Sequence, residues 1–154
     1  MWKTLLLLCT LPFLMGYVNP ATGERYATHV LRAFDPPEKP WLAGHRGVDL
    51  PADPGDTIVA AEDGVVAFAG VVAGTPVVSI DHADGIRTTY QPVHARVSQG
   101  DAVQEGDVIG MLGQPTGSDI GLHWGARIGK EEYINPLSLL DRPVIRLKPI
   151  QARG

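Results

Sequence analysis

The chain has one cysteine, Cys9, among 154 residues, so no intrachain disulfide can form. Basic residues are also scarce: 13 Lys and Arg face 17 Asp and Glu, a net charge of −4. A chain so balanced carries no basic stripe able to neutralise a phosphate backbone, which excludes nucleic acid as a partner. No apolar run is long enough to cross about 30 Å of hydrocarbon. The longest, from Leu5 to Met15, stops well short of that. What is abundant is punctuation: 18 Gly and 13 Pro fall between short apolar runs, which favours strands and turns over helices. The length fits one domain and leaves no room for a second.

Lys3 followed by the apolar stretch Leu5 to Met15 has the form of an export signal, which assigns residues 1–16 to a signal peptide or, if uncleaved, an N-terminal anchor. A secreted or cell-envelope location follows as an expectation. Cys9 lies inside this segment, so the mature chain is expected to have no thiol and no thiol catalysis. Residues 17–29 read as a leader, and His29 to Phe34 as one short edge strand. A proline-stiffened approach through Pro36, Pro37 and Pro40 then leads to Trp41 and His45.

From Asp49 onward the pattern is nearly continuous β, with expected strands at residues 57–61, 64–70, 76–82, 86–90, 108–112 and 122–128. Asp84-Gly85 marks a hairpin, and the Gly-Asp pairs at 55–56, 100–101 and 106–107 mark turns. The fold class is therefore all-β: mostly antiparallel sheets in a compact barrel-like or sandwich domain with an open groove.

His45, Asp49 and the distant His123 supply two imidazoles and a carboxylate, the set a catalytic zinc uses when one coordination position stays free. On a straight strand His45 and Asp49 would lie about 13 Å apart, so the chain must bend or bulge between them. Gly47, midway, is the residue that permits it.

Five motifs in order resemble the lysostaphin/LytM-type zinc metallopeptidases: His45-x-x-x-Asp49, Ala60 to Val66, Gly85 to Tyr90, Gly100 to Gly110, and Leu122-His123-Trp124 ending in Asn135-Pro136-Leu137. The likeness covers residues 30–140. It implies a β domain, secreted or envelope-bound, whose groove cleaves peptide cross-links of bacterial cell-wall peptidoglycan, with zinc as cofactor and His45, Asp49 and His123 as its ligands. The chain departs from that family at two positions. Gly121 stands where the first histidine of H-x-H belongs, and Pro92 stands where a second assisting histidine follows the hairpin tyrosine.

With both assisting histidines missing, His94 and, behind it, Asp119 are the candidates for proton transfer, and the Tyr90 phenol is a candidate to steady an oxyanion; a solvated imidazole, a turn carboxylate and a packing aromatic are the alternatives. Trp41 and Trp124 could line a substrate groove or pack. Arg127, sharing a strand face with His123, could meet a carboxylate from a peptide substrate or from a neighbouring side chain. His82 reads as a solvated turn residue and His29 as surface. Residues 141–154, with Arg142, Arg146, Lys148 and Arg153, form a basic tail that could touch anionic wall polymers or simply fray. Two functions are compatible with this reading. One is a zinc-dependent endopeptidase acting on peptidoglycan; the other is a degenerate relative that binds wall peptides or regulates a partner wall hydrolase.

Overall fold

The structure is a computed structural model that describes residues 16–27 and 29–142. The proposed signal segment and most of the basic tail lie outside the described residues. Alternating apolar and polar side chains, cut by Gly-containing turns, give ten strands: β1 (Gly47–Leu50), β2 (Thr57–Val59), β3 (Gly64–Val72), β4 (Thr75–His82), β5 (Ile86–Gln91), β6 (Val93–Ala95), β7 (Ala102–Val103), β8 (Val108–Leu112), β9 (Leu122–Ile128) and β10 (Glu132–Ile134). A single turn of 3-10 helix, Pro136–Leu139, follows, capped by the Asn135 side chain accepting from the Leu137 N–H.

Seven strands form one antiparallel sheet in the order β1-β9-β5-β4-β3-β7, with β10 extending the β1 side of β9. Three more, β2-β8-β6, form a second sheet. Neither closes into a barrel among the described residues. The apolar halves of both sheets meet in one core that includes Val48, Leu50, Ile58, Ile80, Tyr90, Val93, Ile109, Leu122 and Trp124. Fully burying an aliphatic side chain of this size stabilises the fold by about 1.5–3 kcal/mol relative to exposure.

The turns repeat one device. At Asp56, Asp101 and Asp107 the carboxylate accepts from the backbone N–H three residues earlier, at 2.8 Å each time, while the preceding glycine takes a left-handed backbone. The β4–β5 hairpin turns through Ala83 and Asp84 with Gly85 left-handed at φ 83°, a type of loop in which glycine avoids the Cβ clash.

Three expectations change here. His29 to Phe34 is not a strand; this stretch contributes only an isolated bridge from Arg32 to Asp49, and a second bridge follows from Asp35 to His45. Its alternation arises because Val30 and Phe34 pack on the core from outside the sheets. The leader is not loose throughout: Tyr17 and Val18 are buried, and Val18 N–H donates to the Ala61 carbonyl at 2.8 Å. His82, the last residue of the expected strand, is no solvated turn residue. It is 6% exposed, with ring nitrogens on the Asp63 carbonyl at 2.8 Å and the Thr88 hydroxyl at 2.7 Å.

Candidate metal centre and groove

Strand parity sorts β9 into two faces. Leu122, Trp124 and Ala126 enter the core, leaving His123, Gly125 and Arg127 on the opposite face. On β1, Val48 and Leu50 likewise go inward and Asp49 stays with His123, its direct partner across the antiparallel pair. Cross-strand partners have Cβ atoms about 4.5–5.5 Å apart, close enough for side chains to touch. The Asp49 Oδ1 lies 3.0 Å from His123 Nδ1.

His45 reaches the same point from just before β1. Its bridge and that of Asp49 are three residues apart on the Asp35–Arg32 side but four apart on their own, so the His45–Asp49 stretch carries one extra residue, a bulge. Gly47 serves this arrangement by leaving room rather than by a left-handed backbone: a Cβ there would lie 2.8 Å from His123 Nε2 and 2.9 Å from its Cε1. His45 Nε2 ends 3.0 Å from Asp49 Oδ1 and 3.2 Å from His123 Nδ1.

These atoms fit a divalent cation. His45 Nδ1 faces the Ala33 carbonyl at 2.8 Å, which fixes its proton there and leaves Nε2 with a lone pair. That lone pair, the Asp49 carboxylate and one more imidazole nitrogen converge with fewer protons than acceptors. Four ligands held tetrahedrally at about 2.1 Å from a zinc ion lie about 3.4 Å apart, close to the separations seen. Burial opposes ionisation of the wholly buried Asp49 carboxyl, but the hydrogen bond from His123, the Ile120 N–H and the charge of His45 together hold it below its ordinary range.

A fourth group joins them. Asp119, in the segment between β8 and β9, places Oδ1 3.8 Å from both His45 Nε2 and His123 Nδ1. His45, Asp49, Asp119 and His123 together offer ligand atoms all within 4.8 Å of one another. Gln91, the other cross-strand partner of His123, donates to Asp119 Oδ2 at 3.3 Å, and Arg32 lies 3.8 Å from Oδ1. The Asp119 carboxylate is thus aimed at the metal position by its neighbours.

The remaining candidates sit elsewhere. Tyr90 is no groove residue: it is fully buried opposite Trp124, its hydroxyl accepting from the Ala61 N–H at 3.1 Å and 2.7 Å from the Thr88 hydroxyl. Burial pushes its phenol up to about 12. Trp124 is core as well, while Trp41 is 76% exposed with Lys39 Nζ 5.5 Å over its ring. His94 is exposed in the three-stranded sheet, its ring against Gly113, and makes no hydrogen bond to the four-residue cluster among the described residues. The chain changes sheet between β5 and β6, so facing parity counted from Tyr90 does not carry through to His94.

His123 forms one end of a groove of about 200 Å³ lined by Arg46, Arg87, Gln91, Arg127 and Tyr133. At Arg46 and Tyr133 it meets a larger cavity of about 480 Å³ walled by Pro36, Pro37 and Pro40.

The molecule is thus an antiparallel two-sheet domain with a His/Asp/His cluster beside a surface groove that His123 helps to line. The chain matches Peptidase family M23 over residues 43–136 and belongs to that family. It is 46% identical over 131 residues to an uncharacterised protein of Mycobacterium tuberculosis, covering 81% of this chain and 53% of that protein. It is 38% identical over 98 residues to the DD-carboxypeptidase/endopeptidase Mpg of Neisseria meningitidis, covering 62% of this chain and 22% of Mpg. It is also 38% identical over 100 residues to stage II sporulation protein Q of Bacillus subtilis, covering 62% and 32%. The chain therefore spans about half or less of the length of these relatives. Among solved structures, Helicobacter pylori Csd3 superposes with a TM-score of 0.64 at 29% identity, covering 89% of this chain and 38% of Csd3. The catalytic domain of lysostaphin from Staphylococcus simulans shares the fold, with a TM-score of 0.61 at 23% identity over 71% of this chain and 90% of that one.

Proposed function

We propose that this protein is a zinc-dependent metallopeptidase that hydrolyses peptide cross-links of bacterial cell-wall peptidoglycan, exported to the cell envelope by its N-terminal segment. The observation that carries the reading is the convergence of His45 Nε2, Asp49 Oδ1 and His123 Nδ1 within 3.0–3.2 Å of one another at the end of a groove. A zinc ion held there would lower the pKa of water toward neutrality and polarise the scissile carbonyl. The chain does the rest with its own groups. The Ala33 carbonyl orients His45, the Ile120 N–H holds the Asp49 carboxylate, and the Asp119 Oδ1 would act as the acceptor for the proton of the attacking water. Asp119 thereby stands in for the histidines replaced by Pro92 and Gly121.

A second reading has its own support. Gly121 adopts φ 66°, and a Cβ there would collide with the Leu50 carbonyl, so the backbone itself is shaped against a histidine at this position. Stage II sporulation protein Q, whose relative structure is that of a SpoIIQ–SpoIIIAH complex, illustrates the alternative of a domain that binds a partner. Under this reading the groove would bind wall peptides or a partner hydrolase without turnover. Incubating the purified, zinc-loaded chain with cross-linked peptidoglycan separates the two. The peptidase reading expects new amino groups, abolished by a chelator and by His123→Ala. Stoichiometric zinc with no amine release favours the binding domain.

A further inference from the structure

We propose that the groove beside His123 contains a carboxylate-binding subsite centred on Arg127, which selects peptides bearing an acidic group about four residues from the bond aligned with His123. This rests on the groove being where the proposed peptidase holds its substrate.

The first support is charge. The chain is acidic overall, yet its groove is lined by three arginines and by no aspartate or glutamate. The second is register. Arg87 on β5 lies directly across from Arg127 on β9, and like charges in that relation destabilise a sheet unless an anion joins them. One anion is built in: Asp81, the cross-strand neighbour of Arg87 on β4, takes both its Nε at 2.6 Å and its Nη2 at 2.8 Å. Both oxygens of that carboxylate are taken by Arg87, and Arg127 acts on Asp81 only through its charge, without a direct bond.

Arg127 has no carboxylate partner among the described residues, and its one hydrogen bond is a long one of 3.4 Å to the Lys130 carbonyl. Arg46 is held by the Pro40 carbonyl at 2.6 Å and lies 5.9 Å from the centre of the Tyr133 ring, so it too keeps an uncompensated charge. The row Asp81–Arg87–Arg127–Tyr133 is thus one carboxylate short. Among the described residues Arg127 makes no direct pair with a neighbouring carboxylate, and Asp81, whose two oxygens are held by Arg87, acts on it only through charge; a direct partner is left to a ligand.

Geometry sets the position of that ligand. His123 and Arg127 share a strand face four residues apart, about 13 Å between Cα atoms at ~3.3 Å per residue. The Arg127 side chain is directed toward the Lys130 carbonyl, so that spacing is not shortened by the guanidinium. An extended peptide advances by about the same amount per residue, so its acidic group falls about four residues from the bond at His123. A guanidinium can hold either a side-chain carboxylate or a chain-terminal one in the same two-pronged manner.

Three N-acetylated probes separate those sources: penta-alanine amide, penta-alanine free acid, and the amide carrying one glutamate at the fourth position. Dissociation constants are measured by NMR titration of the full chain, both with zinc and with a chelator, so that binding is read whether or not hydrolysis occurs. At least one acidic probe should bind roughly 5–10-fold tighter than the neutral one, the subsite being partly open to solvent. Arg127→Gln should erase that difference, and Arg127→Lys should keep part of it. Preference for the free acid identifies the terminal carboxylate, and preference for the glutamate probe identifies the side chain. Equal affinities for all three, absence of binding in the groove, or a preference that survives Arg127→Gln would overturn the proposal. Lack of turnover with the preference intact would count against the peptidase reading alone.

Discussion

Asp119→Asn removes a charge and almost nothing else, which makes it a sharp probe of proton transfer. Within the three-residue set the ligand atoms are 3.0–3.2 Å apart, whereas Asp119 Oδ1 is 3.8 Å from each imidazole nitrogen. A tetrahedral zinc site has edges of about 3.4 Å, so the Asp119 separations exceed that figure by as much as the shortest of the trio fall below it, and the zinc content of the variant decides between a ligand and a group that contacts what the metal activates. Asparagine fills the same volume, and its carbonyl can still accept from Gln91. The ion pair it loses is to Arg32 at 3.8 Å, with side chains 39% and 21% exposed, a contact worth below about 1 kcal/mol. Folding stability should therefore barely move. Turnover should fall by about 10²–10⁴-fold, or roughly 3–5 kcal/mol of barrier, the ordinary contribution of a positioned base. The assay is initial-rate amine release from cross-linked peptidoglycan, with zinc content measured on the same sample. Activity within twofold of the parent would refute the assignment, because solvent would then suffice as the base. Loss of zinc from the variant would refute it differently, by making Asp119 a ligand.

Other outcomes follow from the same geometry. Gly47→Ala drives a methyl toward the His123 ring at 2.8–2.9 Å and should weaken zinc affinity while costing about 1–3 kcal/mol in chemical denaturation. Gly121→His should fail to raise activity and should lower the melting temperature, since the new side chain meets the Leu50 carbonyl in a left-handed backbone; a gain in turnover would show that the strand can reshape. In metal-free protein the Asp49 carboxyl is held below its ordinary value, so the unfolded chain takes up that proton first as acidity rises. Its stabilisation is present above pH of about 4 and is lost as the pH falls through the lowered folded-state value, and melting curves of Asp49→Asn should lack that component.

The convergence of His45, Asp49 and His123 was legible because residue type restricts it: two imidazoles and a carboxylate in one short motif and one distant motif leave few other roles. The bulge at His45–Asp49 was legible too, from the mismatch between strand rise and the convergence a metal demands. Asp119 ranked low because it lies in the aperiodic segment before β9, where no strand parity tells which way a side chain points; its direction comes from Gln91 and Arg32, both far away in sequence. Tyr90 was misplaced for lack of register. Alternation on β5 gives two faces, but only pairing with Trp124 reveals which one enters the core. His94 takes the solvated alternative because the chain passes from one sheet to the other just before it, and the burial of His82 escaped the strand pattern because its partners, the Asp63 carbonyl and the Thr88 hydroxyl, come from elsewhere in the sequence.

The central claim is that His45, Asp49 and His123 hold one zinc ion. Titrating the metal-free chain with zinc, with X-ray absorption on the loaded sample, tests it directly. The account predicts one ion per chain with two nitrogen neighbours and oxygen at about 2.0–2.2 Å, and His123→Ala reducing the affinity by at least about tenfold. A chain that takes up no zinc, or one whose zinc affinity is indifferent to His123→Ala, would contradict it.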